Sequence, residues 1–161
     1  MDILFKHAWI LMIAVTVANG ITFKYRAKKH IAENPALAPG YQKFYKGWLF
    51  IVNIPWVIMM IGCLSGMTQH TFEYFDPKGM NPMVLFFHFT VIALWILSIW
   101  WIYFKNGAEF FESHPGLLQR SGFGENKKVT ARQIKLFFPL FLLGGIAGMI
   151  MMWIMEVPSN F

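Results

Sequence analysis

The side chains in this sequence that are equipped for chemistry are few, and imidazole and sulfur dominate them. His7 and His88 each stand inside an apolar stretch, and His70 lies between two such stretches. Neutral imidazole ligates haem iron and most first-row transition metals, so two histidines on different helices are candidate ligands for a haem b or a metal ion. Trp56, Met59, Met60, Cys63 and Met67 recur at helical spacing and share one face. Met80 and Met83, then Met149, Met151, Met152 and Met155, add thioethers further along. Thioether, thiolate and imidazole together suit Cu(I), which makes His70, Met59, Met60 and Cys63 candidate copper ligands beside the haem candidates His7 and His88. Each has a plainer reading: methionine fills irregular cores without any metal, and a histidine one turn inside a helix can hydrogen-bond a neighbour. No Ser-His-Asp set, buried carboxylate pair or metalloprotease motif is present, which argues against hydrolysis. The single cysteine, Cys63, allows no internal disulfide.

The elements that must position these groups are apolar helices. Hydrophobic residues make up 57% of the chain and charged ones 14%, which disfavours an ordinary soluble domain. Four stretches stand out: Ile3 to Phe23, Gly47 to Gly66, Met83 to Phe104 and Leu136 to Met155. Each holds about 20 residues, enough at about 1.5 Å per residue to cross a hydrocarbon layer of about 30 Å. The sequence therefore predicts an all-α integral membrane protein, a single domain built as a four-helix up-down-up-down bundle in contact with the lipid bilayer.

Charge sets the expected orientation. Lys24, Arg26, Lys28, Lys29, Lys43 and Lys46 fall in the first connection, and Lys105, Arg120, Lys127, Lys128, Arg132 and Lys135 in or beside the third. Only Lys6 and Lys78 lie elsewhere. Short Lys/Arg-rich loops stay cytoplasmic, so both termini and the middle loop are expected outside a bacterial inner membrane. The net charge of +6 then matches anionic inner-leaflet lipid rather than nucleic acid, and no glycine-rich phosphate loop is present.

Local signals refine this plan. Asn34, Pro35, Pro39 and Gly40 predict a connection only partly helical, and Asp76, Pro77, Lys78 and Gly79 predict a turn. Thr130 is a candidate cap for the last helix, Lys105 to Ser113 a possible extension of the third, and His114 to Asn126 reads as a flexible surface crossing. Pro55 and Pro139 are expected to kink their helices. Asn19 and Asn53 are candidates for hydrogen bonds between helices, and Gly144 with Gly148 forms a small-x-x-x-small pair, a surface that Gly145 widens for close contact with a helix or a membrane protein partner.

The stretches LFKHAWILMIAVTVANGITFKYRAKKH, FYKGWLFIVNIPWVIMMIGCLSG and IKLFFPLFLLGG carry a resemblance to a superfamily of small bacterial four-helix membrane proteins. That superfamily contains the haem-dependent protoporphyrinogen oxidase and the copper-resistance D-like proteins. The resemblance lies in His7 opening the first helix ahead of Gly20 and His30, and in the prolines at 55 and 139. It implies His7 as a haem ligand and a tetrapyrrole oxidation or one-electron transfer. The oxidase pattern has a lysine in helix three where this chain offers His88, and an Asn-Glu pair before the helix-four proline where this chain has Phe137 and Phe138. The expected function is a membrane haem-b or metal-binding redox protein, possessing a site between the first and third helices near the outer face. The alternative is a non-catalytic subunit or scaffold of a larger membrane complex.

Overall fold

The computed structural model describes residues 6–118 and 129–154. Expectations that fall outside them concern the first helix's start at Ile3, most of the third connection from Gln119 to Lys128, and Met155 with the tail. The described residues contain helices and turns and no strand. Four helical stretches are long and apolar enough to cross a membrane.

The first, α1 (Ala8–Glu33), runs 26 residues, about 39 Å at 1.5 Å per residue. It is therefore longer than the apolar stretch that predicts it and carries Lys24, Arg26, Lys28 and Lys29 on its last turns. Asn34 ends it, and the Asn34 side chain accepts from the Ala36 amide to start a short 3-10 turn at Pro35–Leu37. The connection expected to be half irregular is thus mostly helix, because α2 (Ala38–Ile51) begins at once with Pro39 in its first turn.

Pro55 has the expected effect. It sits in the first turn of α3 (Ile54–Ser65), and the helix breaks at Val52 and Asn53 ahead of it. Gly66, at φ +76°, closes α3 in the left-handed conformation that glycine adopts without steric cost. Asn81 caps α4 (Pro82–Phe104) by accepting from the Met83 amide at 2.9 Å. Asn106, at φ +54°, separates α4 from α5 (Gly107–Ser113), so the predicted extension is a distinct short helix. Thr130 caps α6 (Ala131–Ile154) as its sequence position suggests. Its hydroxyl accepts from the Gln133 amide, and the Gln133 side chain accepts from the Thr130 amide, a reciprocal capping box. Pro139 lies inside α6 and does not interrupt it.

Helix α1 packs against α2 and α3, α3 against α4, and α4 against α6. Gly20 of α1 leaves room for Tyr45 and Leu49 of α2, where a Cβ would stand 3.2 Å from each. There the Trp48 indole donates to the Thr16 carbonyl at 3.1 Å. This bond does the work expected of Asn19 and Asn53. Asn19 is exposed, and Asn53, at the α2–α3 break, instead donates back to the Leu49 carbonyl of α2 at 2.7 Å. Against α6, α4 is held at three levels: Tyr103 donates to the Lys135 carbonyl at 2.7 Å, Trp95 lies over Gly145, and His88 meets Trp153 edge-on at 5.9 Å. Helix α3 packs on both α1 and α4, while α1 and α4 make no comparable contact with each other.

The crossing after α5 is not a loose surface segment where it is described. His114 is buried, stacked on Phe110 at 4.1 Å and edge-on to Tyr41 at 5.0 Å. The Tyr41 hydroxyl donates to the Pro115 carbonyl at 2.7 Å, and a Cβ on Gly40 would fall on the His114 imidazole. Around them Phe23, Phe44, Phe110, Phe111 and Trp101 form an aromatic cluster that ties α1, α2, α4 and α5 together. The exposed Glu109 accepts from Lys135 at 2.6 Å, and this bond holds its carboxyl below the ordinary glutamate range.

The α4–α6 seam separates two glycines that the sequence treats alike. A Cβ at 145 would stand 2.9 Å from the Trp95 ring, whereas one at 144 meets nothing within 4 Å. Gly145→Val is expected to destabilise the detergent-solubilised protein by about 1–3 kcal/mol, the usual cost of overpacking. Gly144→Val is expected to change stability by less than about 0.5 kcal/mol, as surface substitutions do. Equilibrium unfolding in a mild detergent series checks both, and equal effects would contradict the seam.

Candidate functional site

The loop between α3 and α4 folds back onto the helices rather than standing away from them. Its anchor is Tyr74, which is fully buried in a 3-10 turn spanning Thr71–Phe75. The Tyr74 hydroxyl donates to the Ile58 carbonyl at 3.3 Å and occupies the space a side chain at Gly62 would fill. Burial pushes the phenol above its ordinary value, so it remains a neutral donor at physiological pH. Its ring lies edge-on to Phe87 at 5.4 Å, within a core of Ile58, Met59, Cys63, Val84 and Phe87. The rest of the loop is tied down locally. The Glu73 carboxylate accepts from the amides of Gln69 and His70, and Asp76 accepts from the Lys78 amide in the turn that the sequence predicts. The Lys78 ammonium donates to the Ile154 carbonyl at the end of α6.

This anchoring fixes His88. The second turn of α4 carries it, only 3% exposed, and its Nε2 lies 2.9 Å from the Tyr74 carbonyl oxygen. A carbonyl only accepts, so Nε2 carries the proton, and Nδ1 of the neutral ring is a bare lone pair. That Nδ1 is buried and has no hydrogen-bond partner. An imidazole held by one N–H to a backbone carbonyl, with the other nitrogen free, is the arrangement that orients a histidine ligand toward a metal. Buried acceptors without a partner are uncommon and costly, so this one calls for an explanation.

The other sequence candidates are distributed around the same end. His7 stands immediately before α1, with its ring edge-on to Trp9 at 6.0 Å. His70 begins the Thr71–Phe75 turn and is half-buried. Nδ1 of His7, Nδ1 of His70 and Nε1 of Trp9 are also buried without partners. Neither a hydrogen bond nor a ring contact joins His7 to His88. Met59 and Cys63 lie on the predicted face and are buried in the core around Tyr74, where the Thr68 hydroxyl donates to the Cys63 sulfur at 3.4 Å. Met60 is half-buried, while Met67 and Met80 are exposed. Among the described residues no three His, Cys, Asp or Glu side chains gather as a metal-binding group.

Two residues that position His88 carry no sequence signal of their own. Tyr74 reads as an ordinary loop aromatic, and Gly62 as one glycine in an apolar run. Their meaning depends on their meeting across the fold. Comparison of the chain with protein-family models, curated proteins and solved structures returns no match.

The tautomer of His88 is directly observable. Nitrogen-15 NMR of the selectively labelled protein near neutral pH should show a protonated Nε2 and an unprotonated Nδ1. In Gly62→Ala the new methyl displaces Tyr74, and the two nitrogens should move toward an exchange-averaged pair. An Nδ1–H tautomer in the unsubstituted protein would remove the free ligand.

Proposed function

We propose that this chain is an integral membrane protein whose four spans alternate in direction, and that it holds a redox-active haem b or transition-metal ion through His88 near the outer face of a bacterial inner membrane. Support for the orientation is the clustering of twelve of fourteen Lys and Arg residues in or beside the first and third connections. On this reading the loop from Gly66 to Asn81, and the His88 site beneath it, face outward. The observation that carries the proposal is the buried, unpartnered Nδ1 of His88, aligned by the Tyr74 carbonyl. An ionisable side chain inside a membrane helix is costly, and this one is held as a ligand would be. His7, the ligand that the family resemblance implies, offers a second bare nitrogen at the same end, and His88 is the anchored member of the two.

A second reading has its own observation. Gly144 and Gly148 have nothing within 4 Å of where a Cβ would stand, so open space lies beside both small residues of α6. In a non-catalytic subunit that space would receive a helix of the partner protein, because small residues let helix backbones approach closely in lipid.

Optical spectra of the detergent-purified protein, oxidised and then dithionite-reduced, with metal analysis on the same sample, separate the two. The proposal expects a Soret band that shifts on reduction, or about one transition-metal ion per chain. Either is lost in His88→Ala. A featureless spectrum after haem supplementation, with no stoichiometric metal after metal supplementation, rejects the redox reading and leaves the subunit reading.

A further inference from the structure

The contact face of α6 allows the ligand set to be named, on the reading that His88 is a metal ligand. Two observed contacts define that face near the site: Gly145 lies under Trp95, and Trp153 meets His88. Met149 and Met152 fall between them, at one and two turns beyond Gly145, on the same side of the helix. Their burial agrees. Both are half-buried, while Ile150, Met151 and Ile154 on the other faces are exposed. Stepping down α4 from Trp95 to His88 matches stepping up α6 from Gly145 to Met152, so the antiparallel register puts Met152 level with His88. Met149 lies one turn deeper.

We propose that Nδ1 of His88 and the thioether sulfurs of Met152 and Met149 form a three-coordinate site for Cu(I) at the α4–α6 seam. Softness selects the metal, because thioether and imidazole donors favour cuprous ion over hard cations. Charge selects the oxidation state. The apolar stretches Met83–Phe104 and Leu136–Trp153 contain no Asp or Glu, and the Glu73 carboxylate in the loop is engaged by two amides. A dication among neutral ligands in a low-dielectric site would be poorly compensated, and a monovalent ion less so. Shape separates the ion from haem. Nδ1 is adjacent to the ring carbon that bears Cβ, so a macrocycle perpendicular to an iron–Nδ1 bond would run into the α4 backbone. A bare ion does not. Met59, Met60, Cys63 and His70, the sulfur and imidazole candidates picked out by spacing alone, belong to α3 and the loop, and the metal is assigned instead to the opposite side of α4.

The test is anaerobic titration of the full-length, detergent-purified protein with Cu(I) in competition with bathocuproine disulfonate, followed by copper K-edge X-ray absorption. The expected result is one tightly held Cu(I) per chain with one nitrogen and two sulfur scatterers. Met149→Leu and Met152→Leu, which conserve volume, should leave the unfolding midpoint of the copper-free protein unchanged. Each should remove one sulfur scatterer and weaken binding by at least the roughly 10–100-fold that loss of an outer-shell partner costs. His88→Ala should abolish the site. Copper binding that needs His88 but keeps its sulfur shell and affinity in the double leucine variant overturns the methionine assignment and leaves the His88 site standing. A Soret band lost in His88→Ala, without Cu(I) binding, overturns copper in favour of haem. Failure of both haem and Cu(I) to bind overturns this inference together with the function it rests on.

Discussion

The seating of Tyr74 against α3 is the interaction on which the loop end of this molecule depends. Removing the side chain at Gly62 lets a phenol hydroxyl reach the helix backbone, and the aromatic ring then fills the space between α3 and α4 against Phe87. Everything nearby is arranged around that plug. Thr68, Thr71 and Pro77 are buried because the loop is drawn down, and the Thr71 hydroxyl reaches the Lys6 carbonyl across to the start of α1. The Tyr74 main chain is then held at the height where its carbonyl meets His88. A single small residue on α3 thus fixes the orientation of an imidazole on α4.

The two ends of the helices make opposite use of the same device. Each has a buried histidine anchored through one ring nitrogen to a main-chain carbonyl, His88 to Tyr74 and His114 to Phe110. In His114 the anchored nitrogen is Nδ1, the other side of the ring is closed off by Gly40, and Phe110 and Tyr41 cover its faces. That histidine behaves as a packing element and docks the start of the third connection. In His88 the anchored nitrogen is Nε2, and the remaining lone pair is left inside the protein without a partner. Buried His7, His70 and Trp9 nitrogens without partners lie at that end as well. Among the described residues, the buried ring nitrogens without a partner gather at the loop end, and Asn53 Oδ1 at the α2–α3 break is a further buried polar atom without one.

The apolar helices were legible because length and composition are sufficient for them, and so were features set by a few neighbouring residues. The Asp76 turn, the Thr130 cap and the break before Pro55 all follow from local hydrogen bonding and proline sterics. Glycine roles were not legible, because they depend on what arrives from elsewhere in the chain. The sequence put Gly144, Gly145 and Gly148 on one contact surface without ranking them, yet only Gly145 lies against another helix, while a Cβ at Gly144 or Gly148 would meet nothing within 4 Å. Gly62 and Gly40 belong to no pattern and admit Tyr74 and His114. The sulfur stripe on α3 was right as to face, since Met59 and Cys63 are buried together. Spacing alone did not reveal that this face packs on Tyr74.

The proposed metal site lies at a seam between unequal partners. One wall, His88, is locked by the loop, by α3 and by its own carbonyl bond. The other wall belongs to α6, which is held to the rest of the described chain through α4, α5 and the Lys78 contact at its end. Methionine has three flexible side-chain torsions and a polarisable sulfur, so thioethers on the less constrained helix can adjust to an ion while the imidazole does not move. A rigid directional donor facing adaptable soft donors lets a metal enter without repacking the core around Tyr74. It also explains why the imidazole is preorganised in detail while the methionines need only the correct face and height. Their register along α6 is set well away from the site, by Trp95 over Gly145 and by Tyr103 on the Lys135 carbonyl.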